Sequence, residues 1–279
     1  MQRPTPMIIV DLGVNHNGDL KLVLEMITAC KEAGADIVKF QKRTINKVYK
    51  DSHLDSISYD NVHTWREIWS KWELRKKDYN VIDKHCRSLD ISWTASVWDK
   101  ESVDFILDYD VPFLKISSAC ITDIPLLEYV KATGKDVFMS TGMSNMENIL
   151  VASNILNPSF IMHCTSSYPT PDLELNLAFI HNLQQLFPDT FIGFSSHTDI
   201  FPSQMAMLLG AMAIEHHVTL SKTMEGPDQS ASIDMEELKI LCSFAKKCER
   251  CVDCLTGEYK SIYDSELDKI IELRGYQNV

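Results

Sequence analysis

The chain reads as a single (β/α)8 barrel, and three observations point there. Short apolar runs of strand length alternate with amphipathic runs of helical period along almost the whole chain. The alternation produces eight strand–helix units, as many as the ~250 residues of such a barrel hold. The segment after the first strand, GVNHNGD, lacks the G-x-G-x-x-G fingerprint that an open doubly wound sheet would favour there. No low-complexity linker interrupts the pattern, so residues 1–279 are expected to form one domain.

The elements follow in order. Residues 8–14 form the first strand, and a helix over about 19–33 ends at Gly34. Residues 37–42 are the second strand. A polar insertion over about 43–77 follows, with HTWREIWSKWEL holding one short helix. Insertions of this length inside compact domains are usually functional. With Trp65, Trp69 and Trp72, this one suits a cover for a site, a buried subunit contact or an amphipathic helix packed on the barrel. Strands are then expected at 92–98, 113–118, 136–141, 160–166, 191–197 and 213–220. Helices are expected near 78–89, 100–109, 124–132, 145–156, 175–187 and 202–211. Asp234 reads as the N-cap of a last helix over 235–255.

That last helix carries Leu238, Leu241, Ala245, Cys248, Val252 and Leu255 on one stripe. Cys248, Cys251 and Cys254 have the C-x2-C-x2-C spacing of iron–sulfur ligands. A helix spreads them, with Cys248 in the stripe, Cys251 at its border and Cys254 well off it. No proline or glycine opens a loop to wrap a cluster, so they read as structural thiols. Eight cysteines in 279 residues do not make a disulfide scaffold, and free thiols suit a reducing compartment.

Hydrophobic residues at 45% and charged residues at 24% are ordinary globular values. The net charge of −12 argues against a nucleic-acid partner. A small anion remains possible, because a few lysines in a cleft outweigh a distant surface field. No apolar run approaches the ~18–20 residues that span a bilayer, and MQRPTPMIIV has no signal-peptide core. A cytoplasmic protein without membrane contact is expected.

Active sites of such barrels lie at the C-terminal ends of the strands. Strand one offers Asp11, then Asn15, His16 and Asn17; strand two offers Lys39 and Gln41 on one face. Strand four brings Lys115, Ser117 and Ser118, and strand five Ser140 and Thr141. Strand six brings His163, Thr165, Ser166 and then Tyr168, and strand seven Ser195 and His197. In strand eight Glu215, His217 and Thr219 share one face, just before the turn at Gly226–Pro227. Each alone has a structural explanation, but polar groups at seven of eight strand ends would form a costly buried ring without a ligand. Two lysines with several hydroxyls suit a phosphate or carboxylate. Two histidines on adjacent strands near a carboxylate suit a divalent metal with open positions.

VDLGVNHNGD, GADIVKFQ, LKISS, STGM, HCTSSYPTP, GFSSHT and IEHHVTLSKTMEGPD resemble, in order and spacing, the sialic acid synthase family over residues 8 to about 255. The resemblance implies a (β/α)8 barrel that condenses phosphoenolpyruvate with an open-chain N-acyl hexosamine, giving a nonulosonic acid and phosphate. It implies that His197 and His217 hold a divalent ion, Mn2+ or Mg2+. Lys39, Lys115, Ser118 and Ser140, with Ser166 and Ser195, would cradle phosphoenolpyruvate. Gln41, Tyr168, Glu215 and Asp228 would contact the amino sugar, Glu215 near the reacting carbonyl. Asp11 would handle protons or the attacking water. A homodimer is implied as well.

The sequence departs from the family pattern at three positions: Asp11 replaces glutamate, Ser196 replaces the aspartate of S-D-H-T, and Gln229 replaces the histidine of G-P-D-H. The resemblance covers the barrel only, without the antifreeze-like domain that often follows it and whose arginine reaches the partner subunit's sugar. Two alternatives stay open: the same chemistry on a diacetamido-trideoxyhexose, giving legionaminic or pseudaminic acid, and a barrel that binds ligand without turnover.

Overall fold

The computed structural model describes residues 5–251, 264–267, 269 and 272. Its parallel strands are β1 (Met7–Gly13), β2 (Ile37–Lys42), β3 (Ser92–Val97), β4 (Leu114–Ile116), β5 (Val137–Ser140), β6 (Phe160–Cys164), β7 (Phe191–Ser196) and β8 (Ala213–His217). They pair in sequence order, and β8 pairs back onto β1, so the sheet closes into a barrel. Outside lie α1 (Leu20–Ala33), α5 (Lys76–Leu89), α6 (Lys100–Leu107), α7 (Ile124–Ala132), α8 (Met146–Leu156), α9 (Phe179–Leu186), α10 (Phe201–Leu208) and α11 (Met235–Cys251). Between β2 and α5 stand α2 (Ile45–Val48), α3 (Asp51–Leu54) and α4 (Trp65–Trp72).

Local chemistry sets the helix ends. Asp19, Asp99, Asp123 and Asn145 each accept a backbone N–H of the first turn of the helix that follows. Gly34 ends α1 in the left-handed region and returns its N–H to the carbonyls of Cys30 and Lys31. Val23, Met26, Ile27, Cys30 and Ala33 of α1 lie on one buried stripe, and the main core lies between such stripes and the strands.

A second, smaller core fills the inside of the barrel. Ile9, Ile37, Phe113, Phe138, Met162 and Ala213 make it, with Met7 and Phe160 packed against them. Phe113 and Phe138 stack at 3.7 Å between ring centroids, and Phe138 and Phe160 at 4.2 Å. Space is tight at this level: a Cβ on Gly193 would lie 2.3 Å from Met162 Sδ. Two residues further along the same strands come Asp11, Lys39, Lys115, Ser140, Cys164 and Glu215. Period-two alternation therefore stacks a polar layer on the apolar plug.

Several expected boundaries move. The strand expected over 213–220 stops at His217, and Thr219 turns away from Glu215 and His217. Its N–H goes to Ile233 O, and its hydroxyl goes to Ser221 O and Gln229 Oε1. The helix expected from 175 begins at Phe179, because Asn176 adopts φ +44 after a 3-10 turn at Asp172–Glu174. The insertion holds α2, α3 and α4 rather than one helix. Its α4 opens with a capping box of Thr64 and Glu67 and packs Ile68 and Trp72 on Val14 at the barrel rim. Cys248 is buried in the stripe of α11, whereas the side chain of Cys251 and all of Cys254 lie outside the described residues. Cys30, Cys86, Cys120, Cys164 and Cys242 are free thiols, and no described helix is long and apolar enough to cross a membrane.

Asp99 fastens the insertion to the barrel. Its Oδ1 accepts from Ser102 N (2.8 Å) and Thr44 Oγ1 (2.9 Å), and its Oδ2 from Thr44 N (2.6 Å) and Ser102 Oγ (2.8 Å). Burial raises the pKa of this carboxyl, but the donors of Thr44 and Ser102 outweigh it and the net shift is downward. Asp99→Ala is expected to cost about 1–2 kcal/mol in chemical denaturation. With the folded pKa below the unfolded one, that contribution is complete above pH ~4 and fades as pH falls through the folded value. The stability difference between wild type and variant should therefore shrink below pH ~4 and stay constant above it.

Candidate active site

A cavity of about 280 Å³ opens at the C-terminal ends of the strands. Strand register assembles its walls: Asp11 pairs with Lys39 and with His217, Gln41 with Ser96, Ser96 with Lys115, and Ser195 with Glu215.

Its floor is a chain of buried charges. Lys39 Nζ donates to Asp11 Oδ2 at 2.5 Å and to Ser96 Oγ at 3.1 Å, and lies 3.7 Å from Glu215 Oε1. Lys115 Nζ donates to Glu215 Oε2 at 2.6 Å, and Ser195 Oγ to Glu215 Oε1 at 3.4 Å. Gly13 N donates to Asp11 Oδ1 at 2.8 Å. Burial alone would push both carboxyls up. The Lys39 charge beside Asp11, and Lys115 with Lys39 beside Glu215, outweigh it and hold both below their ordinary range. Burial would lower Lys39, but Asp11 and Glu215 raise it on balance. Asp11, Glu215 and Lys39 therefore stay ionised near neutral pH.

One wall carries two imidazoles whose centroids lie 5.7 Å apart. His197 Nδ1 is 2.9 Å from the carbonyl of Thr165; a carbonyl only accepts, so Nδ1 carries the hydrogen and Nε2 keeps its lone pair. Burial first and His217 second push His197 down to about 4, so it is neutral at pH 7. His217 Nε2 lies 3.5 Å from Asp11 Oδ2, and its Nδ1 is buried with no hydrogen-bond partner. The ring of Tyr168, 51% exposed at the mouth, lies 4.0 Å from that of His197.

The opposite wall is a cradle of hydroxyls around Gly142. Its N–H donates to Ser118 Oγ (3.0 Å) and Cys164 Sγ (3.2 Å). A Cβ there would lie 2.2 Å from Ser166 Oγ and 2.8 Å from Ser118 Oγ, so the converging hydroxyls depend on glycine. Ser140 lines the same side.

The structure thus brings together Asp11, Lys39, Gln41, Lys115, Ser118, Ser140, Ser166, Tyr168, Ser195, His197, Glu215 and His217. Asp228 is not among the lining residues; it sits on the rim, its Oδ2 3.8 Å from His217 Nδ1. Other polar residues near the strand ends serve the scaffold. Asn15 bonds Val218 O and Ser232 Oγ, Asn17 bonds Glu225 O, His163 bonds Leu175 O and Thr141 bonds Met162 O. His216 points away from the cavity face to Ser203 Oγ, 2.7 Å off. Gln229 is buried and ties Thr219 to the Asn15 carbonyl, which anchors the loop bearing Asp228. Sequence reasoning missed Ser96, Trp98, Met143 and Cys164 in the lining. Thr94, Ser96 and Trp98 alternate in SWTASVWD, a signal that strand three also contributes a wall.

Removing one partner of a buried ion pair strands the other charge. Lys115→Met should cost about 3–5 kcal/mol in chemical denaturation, because Glu215 stays buried with only Lys39 nearby. The double variant Lys115→Met/Glu215→Gln should recover most of that loss. Additive destabilisation would show that the two charges are not coupled.

Comparison with known proteins agrees with this architecture. The NeuB family pattern matches residues 26–255. Human N-acetylneuraminate-9-phosphate synthase is 35% identical over 260 residues, covering 90% of this chain and 72% of that protein. The N,N'-diacetyllegionaminic acid synthase of Campylobacter jejuni is 34% identical, covering 88% of this chain and 77% of that one. The crystal structure of the sialic acid synthetase of Leptospira borgpetersenii, in complex with citrate, superposes with a TM-score of 0.82 at 27% identity, covering 98% of this chain and 93% of that chain. With the family pattern spanning most of its length and its closed barrel matching a family structure, the chain belongs to the NeuB family.

Proposed function

We propose that the protein condenses phosphoenolpyruvate with an open-chain N-acyl hexosamine, releasing phosphate and forming a nonulosonic acid. The observation that carries this reading is one cavity holding a buried acid–base chain, a hydroxyl cradle and two adjacent histidines. C3 of phosphoenolpyruvate forms the new bond to the aldehyde carbon, water adds at C2, and the tetrahedral centre expels phosphate.

The roles follow from the chemistry of each wall. Lys39 and Lys115 meet the negative charge that develops as phosphate leaves, from fixed positions that need no reorganisation. Ser118, Ser140, Ser166 and Ser195 donate hydrogen bonds to the carboxylate and phosphate oxygens. Glu215, held between two ammonium groups, handles the proton at the reacting carbonyl. Asp11, ionised and bonded to Lys39, takes the proton of the incoming water. Gln41, Tyr168 and Asp228, at the mouth and rim, hold the sugar.

His197 and His217 would hold a divalent ion. His197 offers Nε2 in a fixed tautomer, and the buried Nδ1 of His217 has no hydrogen-bond partner. Among the described residues no group of three His, Cys, Asp or Glu side chains could hold a metal, so water or substrate oxygens would have to complete the coordination. Imidazole nitrogens favour Mn2+ over Mg2+. When bound, the ion supplies Lewis acidity to the aldehyde oxygen. Asp11 and Glu215 already neutralise both lysines, so an incoming polyanion would need the further positive charge that such an ion would supply.

A diacetamido-trideoxyhexose acceptor is the second reading, favoured by the similar identity to the Campylobacter legionaminic acid synthase. The same proposal takes the protein as a cytoplasmic homodimer, its free thiols fitting a reducing compartment.

Phosphate release from phosphoenolpyruvate, followed with Mn2+ and a panel of N-acyl hexosamines and diacetamido sugars, tests the reading. Release that depends on one acceptor is expected; none with any acceptor would mark a barrel that binds without turnover. His217→Ala should weaken Mn2+ binding at least ~100-fold by calorimetry with the melting temperature retained. Unchanged affinity would remove His217 from the metal site.

A further inference from the structure

Arg43 lies just past β2, two residues beyond Gln41, and is 3% exposed. Its guanidinium is sandwiched between two indoles, 4.4 Å from the ring of Trp69 on α4 and 4.7 Å from that of Trp98, which lines the cavity. Nη1 donates to the Tyr49 hydroxyl at 2.7 Å, and Nη2 donates to Gln41 Oε1. Tyr49 in turn stacks on Trp69, with centroids 5.3 Å apart and planes inclined by 16°. Among the described residues no carboxylate forms a side-chain ion pair with Arg43; the nearby Glu73 takes the ammonium of Lys42 and the backbone N–H of Arg43. The buried cation is thus held by two aromatic faces and two neutral oxygens.

This arrangement dictates the orientation of Gln41. A guanidinium can only donate, so the amide must turn Oε1 toward it. The Nε2 end then faces the cavity side, 3.3 Å from Asp11 Oδ2. Asp11 Oδ2 accepts from that end, so the guanidinium and the carboxylate fix the same orientation of the part-buried amide from opposite sides.

We propose that Arg43 is a positioning residue that locks Gln41 as a hydrogen-bond donor into the cavity and couples that orientation to the packing of α4. The site then selects an acceptor sugar that offers an oxygen to Gln41 Nε2, and the insertion takes part in substrate choice without touching substrate. The inference rests on the proposed function for the role of Gln41 toward sugar; the locked amide itself rests on geometry alone.

A double-mutant cycle with Arg43→Met and Gln41→Ala tests it. Arg43→Met should raise the KM for the sugar by ~10-fold, the loss of about one hydrogen bond, while the KM for phosphoenolpyruvate and kcat stay within ~2-fold. In the Gln41→Ala background, Arg43→Met should add no more than ~2-fold. Arg43→Lys, which keeps the charge but reaches only one of the two oxygens, should rescue part of the loss. Additive effects, or equal damage to both KM values and kcat, would overturn the proposal. If wild type turns over no sugar, the proposed function fails, but the side-chain amide signals of 15N-labelled glutamine still decide about Arg43. The Gln41 pair, identified by its absence in Gln41→Ala, should shift and exchange faster in Arg43→Met and less so in Arg43→Lys. Unchanged signals would overturn the proposal, and near-UV circular dichroism checks that each variant is folded.

Discussion

Two carboxylates and two ammonium groups are buried side by side in this barrel, and the rest of the site depends on their staying paired. An isolated ion at that depth would cost several kcal/mol, so each of Asp11, Lys39, Glu215 and Lys115 needs a neighbour of opposite sign. Strand register supplies them. Asp11 sits opposite Lys39 across β1 and β2, while Glu215 on β8 meets Lys115 across the barrel from β4. A one-residue slip in any of these strands would turn a charge into the apolar layer between sheet and helices. The ion pairs thus add specificity to a fold whose stability comes mainly from the two apolar cores.

Much of this was legible in the sequence because one physical rule governs it. Alternation with period two put Asp11, Lys39, Gln41, Lys115, Ser195, Glu215 and His217 on inward faces, and the barrel shape brought those faces together. Thr219 shows the rule's limit. It has the right parity, but β8 ends two residues earlier, and its hydroxyl serves the loop held by Gln229. Ser96 and Trp98 were overlooked because strand three looks apolar apart from small hydroxyls, which give a weak polar signal. Cys164 was hidden among residues that usually fill cores. The late start of α9 depends on one asparagine with positive φ, which helix periodicity cannot foresee.

The three positions that differ from the family pattern divide by environment. Gln229 is buried and uses both ends of its amide, so its part is to hold the β8 loop. Asp11 keeps contact with Lys39 and lies 3.5 Å from His217 despite its short side chain. Ser196 pairs in register with His216 behind the barrel wall, and its hydroxyl has no partner there, as His216 Nδ1 has none. Nothing in the structure explains the serine.

The stacked phenylalanines beneath the charged layer have a consequence for traffic. Phe113, Phe138 and Phe160, with Met162 and Ile9, fill the lower end of the barrel. The molecule is a vessel with a floor, not a passage. Whatever lodges against Lys115 and Glu215 must arrive through the same mouth that Tyr168 borders. Entry and exit therefore share one route.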